Sequence, residues 1–233
     1  MLRAASFALS AAFAALGVAL AGRPALLWLR SQGLLRPTLG WDVPLGALSL
    51  VLVLTLTCLT LWLAVATALG RPGRVQVHAA LLLLAAACVG SRAAAPSPVP
   101  PRDPAPVLLD ALRRTAEDLD ARYASRYLPD ASVLNAALAG VPDPGFRRLG
   151  RPLRAHARVL SGAAGPQLEP LPEDDPATLY VAVSADRHSV WLTALGLDGI
   201  LRLSSGKPAQ LEAHGGTHNL PGRDAMVPVY PRR

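Results

Sequence analysis

Lysine is almost missing from this chain of 233 residues: Lys207 stands against 22 arginines. With so much Ala, Gly and Pro, that bias reads as GC-rich coding and hints at a bacterial source. Cysteine is scarce too. Cys58 and Cys88 are the only two, and both fall inside long apolar stretches, where such residues act as small buried apolar side chains. Residues 108–233 therefore have no disulfide and no thiolate chemistry. Several catalytic signatures are absent as well. There is no G-x-S-x-G elbow, no HExxH pair and no Gly-rich dinucleotide fingerprint, since Gly196-Leu197-Asp198-Gly199 reads as a turn. No internal repeat is visible.

Negative charge is lacking from the N-terminal half. Residues 1–107 carry eight arginines against Asp42 and Asp103, a net +6, whereas residues 108–233 carry fifteen basic and fourteen acidic side chains, a net +1. The overall charge of +7 and pI of 10.4 thus belong to the flanks of the apolar stretches, where arginines meet lipid headgroups. The C-terminal half has no basic field for phosphates, which argues against a nucleic-acid partner.

What is present in the first half is long apolar runs. Val43–Gly70 is uncharged between Asp42 and Arg71. A bilayer core about 30 Å thick needs roughly 20 apolar residues to cross as a helix, so this run predicts a transmembrane span. Ala4–Gly22 and Val75–Ser91 are shorter versions of the same pattern. Arg71-Pro72-Gly73-Arg74 is a tight connection, so the second and third runs form an antiparallel hairpin over 43–95. Residues 1–22 are either a first transmembrane helix or a signal peptide, since Ala19-Leu20-Ala21 resembles a cleavage site. Residues 23–42 are an interfacial loop, with Trp28 at headgroup level. Under either reading residues 108–233 lie outside the cytoplasm, although the loop arginines run against the positive-inside rule.

A Pro-rich linker spans 96–107 and favours an extended spacer. Val107–Leu128 then reads as an amphipathic helix, with Leu108, Leu112, Ala116, Leu119 and Tyr123 on one face. A short helix capped by Asp130 or Ser132 follows, and a basic third helix is expected over Pro152–Leu160. Residues 162–177 form a loop with Glu169, Glu173, Asp174 and Asp175, whose spacing matches no calcium loop. Residues 178–184, 189–195, 200–203, 209–213 and 226–230 read as strands of an antiparallel meander, with Asp198-Gly199 as a hairpin turn. The fold class is thus a membrane protein: two or three N-terminal transmembrane helices, then a small α+β domain over 108–233, its amphipathic helices packed on an antiparallel sheet.

The densest group of metal-ligand side chains is His214, His218 and Asp224, with His188 elsewhere, which have the atom types for zinc or copper. Gly215-Gly216 opposes a helix there, so same-face i,i+4 ligation is not expected. Ser184, Asp186, His188 and Ser189 have the residue types of a hydrolase but not its spacing. His78 in the third run is a polar residue at membrane depth. The expectation is a non-enzymatic, membrane-anchored interaction or assembly subunit of a bacterial envelope complex. It would sit in the inner membrane, with the lipid bilayer and an envelope protein as partners. The alternative is a membrane-tethered metal protein or metal-dependent enzyme built on the His214/His218 loop.

Overall fold

The structure, a computed structural model, describes residues 2–69, 75–94, 97–123, 126–203, 205–214 and 217–219. The chain divides into two compact units, residues 1–34 with 40–101, and residues 35–39 with 102–233.

The first unit is three apolar helices, α1 (Leu2–Ser31), α2 (Gly46–Ala68) and α3 (Val75–Ala94). Two segments, Ala8–Ser31 and Gly46–Ala68, are long and apolar enough to cross a membrane, and Val77–Ser91 is a shorter apolar helix. The expected break after Gly22 is absent: α1 runs through Arg23 and Pro24 to Ser31. Pro24 removes one backbone donor, but Ala21 and Ala25 on either side of it are both buried. Trp28, one turn further on, lies against the start of α2. Packing therefore continues the helix through a residue that would end an isolated one.

Small residues let these helices approach. A Cβ placed on Gly17 of α1 would lie 2.7 Å from Leu56 Cδ1 of α2 and 3.6 Å from both Ala85 Cα and Cys88 Sγ of α3. Leu52, Leu56, Leu63, Leu81 and Cys88 join Ala14 and Ala21 in the buried centre. Thr55, Thr57, Thr60 and Thr67 each donate to the carbonyl four residues back, at 2.7–2.8 Å. Their hydroxyls are thereby satisfied within α2. Asp42 and Val99 exchange two backbone hydrogen bonds, 3.3 and 2.9 Å. The segment entering α2 and the segment leaving α3 thus meet. The Pro-rich stretch is tied down at Val99, and the next helix begins already at Ala105.

The second unit is α+β. α4 (Ala105–Arg122) starts with Pro104 and Pro106, which the first turn tolerates because its N–H groups have no helical partner; Asp103 accepts the Ala105 N–H at 2.9 Å. α4 stops at Arg122, six residues short of the expected Leu128, where Tyr123 turns extended and Tyr127 is buried. α5 (Ala131–Leu138) is capped by Asp130, which accepts from Ser132 N–H. A three-stranded antiparallel sheet pairs β1 (Thr38–Leu39) with β2 (Phe146–Arg148) and β2 with β3 (Arg151–Pro152).

The larger sheet contains β4 (His156–Ala163), β5 (Thr178–Ser184), β6 (Ser189–Gly196), β7 (Gly199–Ile200), β8 (Gln210–His214) and β9 (Thr217–Asn219), in the order β4-β5-β6-β8-β9, with β7 on β6. Two expectations are corrected here. The basic third helix over 152–160 is not formed: Pro152 ends β3, 153–155 is an extended connection and β4 starts at His156, with Leu153, Ala155, Ala157 and Val159 alternating with Arg154, His156 and Arg158. That period of two suits one buried face of a sheet. The sheet is also mixed and not an antiparallel meander, since β4 runs parallel to β5. Residues 164–177 form the long return that a parallel pair requires. The expected strand at 226–230 lies outside the described residues.

α4 and α5 cover one face of this sheet. Leu108, Leu112, Leu119, Leu134 and Leu138 pack with Leu179, Val181, Val183, Val190, Leu192 and Leu211 in one buried cluster. Each fully buried leucine contributes about 1.5–3 kcal/mol of transfer free energy. Asn135 Oδ1 of α5 accepts the Ala157 N–H at 2.7 Å, so the helix also satisfies a backbone donor of the outermost strand.

Candidate functional site

The strands place two rows of residues on the sheet face opposite the helices. Register aligns Arg158, Tyr180, Thr193 and Gln210 in one row, and Leu160, Ala182, Trp191 and Glu212 in the next. The 164–177 return lies over the first row. Thr193 Oγ1 donates to the Gln167 carbonyl at 2.8 Å, and the Leu171 N–H donates to the Tyr180 hydroxyl at 3.1 Å. Tyr180 and Thr193 are fully buried as a result. In the second row Leu160, Trp191 and Glu212 remain half-buried, and Trp191 Nε1–H donates to Glu212 Oε1 at 2.8 Å.

The acidic loop is neutralised from within the fold. Arg158 donates through Nη2 to Glu173 Oε1 at 2.6 Å and through Nη1 to Asp174 Oδ1. Arg148 Nη1 pairs with Asp175 Oδ1. The Asp174 side chain is only 7% exposed, and its Oδ2 is buried without a hydrogen bond of regular geometry. Burial raises the Tyr180 pKa above the ordinary phenol range; the Leu171 N–H opposes that shift, and the neighbouring Asp174 carboxylate adds to it. The two carboxylates raise the Arg158 pKa further, so the guanidinium stays charged. Ala177, at φ 76°, closes the return by donating to the Leu195 carbonyl at 2.8 Å. This arrangement is a clamp that fixes a loop on a sheet.

The serine, aspartate and histidine group also has a structural role. Ser184 Oγ donates to Asp186 Oδ1 at 2.5 Å and accepts from Ser189 N–H at 3.0 Å, while Asp186 accepts the His188 N–H at 3.1 Å. These bonds build the β5–β6 turn, in which Arg187 has φ 64° and its carbonyl accepts the Tyr127 N–H at 2.8 Å. The Ser184 hydroxyl and the His188 N–H hold the Asp186 carboxyl below its usual range. His188 joins this turn through its backbone N–H.

For the proposed metal ligands, the backbone gives a register. His214 pairs with Thr217 across the β8–β9 ribbon, and Ala213 pairs with His218. Positions alternate faces along a strand, so 214 and 218 stand one step out of phase. Asp224 lies outside the described residues, as do Gly215 and Gly216. Among the described residues no group of three His, Cys, Asp or Glu side chains is arranged to hold a metal ion. His78 is accounted for differently: its Nδ1 lies 2.6 Å from Ser10 Oγ of α1, which joins two of the apolar helices.

Sequence reasoning missed the Arg158 clamp and the Trp191–Glu212 pair. The two-residue alternation of 153–159 was the available signal for the first; nothing local marks the second. No family model, curated protein or solved structure matches this chain.

Proposed function

We propose that the chain is an integral membrane protein whose helices anchor a non-catalytic α+β module, acting as an interaction or assembly subunit of a bacterial envelope complex. The observation that carries this reading is the outward surface of α1–α3. Leu9, Leu16, Leu54, Leu61, Val65 and Leu83 are each at least half exposed to their surroundings, on helices with no acidic residue. A water-facing surface rarely carries so large an apolar area, whereas a bilayer rewards it. The Asp42–Val99 pairing supports a hairpin of α2 and α3, since it joins the entry of α2 to the exit of α3; a retained α1 adds a third crossing. With the N-terminus inside, three crossings leave residues 102–233 on the outer side.

The interaction role is supported by what the polar groups do. The carboxylates and hydroxyls that suggested chemistry are spent on Arg158, Arg148 and the β5–β6 turn, while the Leu160–Trp191–Glu212 row is left accessible to a partner. Tryptophan, with tyrosine and arginine, is enriched at the energetic centres of binding interfaces. Purification of the intact protein in mild detergent, with metal content measured on the same sample, tests the reading. A stoichiometric membrane partner that is lost in Trp191→Ala supports it. Stoichiometric metal, lost in His214→Ala/His218→Ala, overturns it in favour of a metal protein.

A further inference from the structure

The β2–β3 hairpin carries a side chain that the fold itself does not reward. Leu149 sits at its tip with φ 51°, a left-handed conformation that favours Gly or Asn. It is also 64% exposed, so neither backbone preference nor burial accounts for a leucine there. Its surroundings are basic. Arg148 and Arg151 flank it and are exposed, and Arg154 is exposed further along the second arm. Arg148, which pairs with Arg151 across the turn, is engaged with Asp175, whereas Arg151 and Arg154 form no ion pair among the described residues. β1 runs antiparallel to β2 and pairs Thr38 with Arg147, so Leu35 and Arg36, which lead into Thr38, lie toward the end of the sheet that carries the 149–150 turn. Arg36 is exposed and Leu35 fully so, at 101%. Two apolar tips thus stand among arginines on one small sheet.

The position of β1 in the chain says what this tip meets. Six residues separate Ser31, the end of α1, from Thr38, and six separate Leu39 from Gly46, the start of α2. By covalent length alone β1 stays within about 25 Å of both helix ends. If α1 and α2 cross a bilayer, those ends are at its surface. We propose that the β2–β3 tip, together with Leu35 and Arg36, is a lipid-docking element. Leu35 and Leu149 enter the headgroup region, and Arg36, Arg151 and Arg154 bind the phosphates of anionic phospholipids. Positive charge and exposed leucine in one element match that surface, and long arginine stems reach headgroups while their leucine neighbours go deeper. The inference rests on the membrane reading above.

The test uses the full chain in nanodiscs of phosphatidylcholine, alone or mixed with phosphatidylglycerol. A nitroxide is attached at Leu149→Cys in a Cys58→Ala/Cys88→Ala background, with Asp198→Cys in the β6–β7 turn as the reference site. Docking gives at least an about twofold lower collision rate with a water-soluble nickel chelate at position 149 in the anionic discs. The protection disappears in phosphatidylcholine alone, in high salt, and in the Arg36→Gln/Arg151→Gln/Arg154→Gln variant. Nickel access equal to that of the reference site in both lipids overturns the proposal, and would also be the result if the tip serves a protein partner. Alkaline extraction of native membranes separates the two levels. A protein that washes off removes the membrane reading and the docking element together. One that resists extraction while position 149 stays in water removes the docking element alone.

Discussion

Arg158 and Asp174, sixteen residues apart, form a guanidinium–carboxylate pair that joins the edge strand of the larger sheet to the loop returning from it. The same guanidinium holds Glu173, so one side chain fixes two consecutive acidic residues over buried Tyr180. A parallel β4–β5 pair needs a long connection, and a long connection without its own secondary structure needs an anchor. Arg158 supplies it.

Replacing Arg158 by Ala leaves the Asp174 carboxylate buried without its partner. A buried charged group that loses its hydrogen bond costs about 1–3 kcal/mol or more. The expected result is a lower denaturation midpoint for the full-length protein in detergent, with new protease cleavage within 164–177. Arg158→Lys recovers only part of the loss, because an ammonium lacks the planar fork that reaches two carboxylates at once. Unchanged cleavage in Arg158→Ala would show that the other contacts of the loop, through Gln167, Leu171, Asp175 and Ala177, hold it without Arg158.

Arg187 occupies a left-handed conformation at φ 64° in the exposed turn between β5 and β6. A side chain there costs about 1–2 kcal/mol, offset by the greater freedom that glycine has in the unfolded chain, about 0.4–1 kcal/mol. Arg187→Gly should therefore stabilise by up to about 1 kcal/mol, since the turn uses the backbone carbonyl of this residue and not its side chain. Equilibrium denaturation of the two proteins side by side decides it, and a destabilised variant would mean that the guanidinium has a role of its own.

Both ends of the pH scale should weaken the α+β unit, for different reasons. The folded pKa of Asp186 is lowered, first by the Ser184 hydroxyl and then by the His188 N–H. Its stabilisation is present above the unfolded aspartate value of about 3.9 and is lost as pH falls through the lower folded value. Asp130, lowered by the Ser132 N–H and hydroxyl, acts in the same direction. Tyr180 and Tyr127 are raised, chiefly by burial. Above the unfolded phenol value of about 10 the unfolded chain sheds protons that the folded one retains, so stability falls with further rise. A denaturation midpoint measured against pH should decline below about 4 and above about 10. Asp186→Asn should flatten the acid limb, and Tyr180→Phe the alkaline one.

Most of the architecture was legible in the sequence where one physical signal dominated. The apolar runs gave α2 and α3, period-3.6 spacing gave α4, and the alternation in 178–184 with the turn after it gave β5 and β6. Errors arose where tertiary packing outweighed a local signal. Pro24 and Arg23 read as a helix end, but buried Ala21 and Ala25 and the Trp28–Gly46 approach carry α1 onward. The 152–160 segment reads as a short basic helix, whereas Ala157 and Val159 pack into the sheet core. The Arg158 clamp was out of reach for the same reason, since its acidic partners become neighbours only once β4 pairs with β5. The acidic loop itself was located correctly, but its charges are balanced by residues that lie far away in sequence.

Gly46 offers the sharpest test of whether α1 stays with the protein. A Cβ at this position would lie 2.5 Å from Trp28 Cβ and 2.7 Å from Trp28 Cγ. The nearest atom is next to the α1 backbone, so the clash is not relieved by rotating a side-chain end. Gly46→Ala should cost about 1–3 kcal/mol through overpacking. Trp28→Ala should not rescue it, because the offending Cβ remains, but Trp28→Gly should. Gly17 behaves differently. The Cβ of Gly17→Ala meets the mobile tip of Leu56 and is accommodated, while Gly17→Leu drives into Ala85 and Cys88 and should lower the thermal midpoint in detergent. If residues 1–22 were removed as a signal peptide, Gly17→Leu would leave the mature protein unchanged while the Gly46 and Trp28 variants still interacted. Thermal midpoints of these variants, with the N-terminus of each purified protein sequenced, therefore distinguish a retained first helix from a cleaved one.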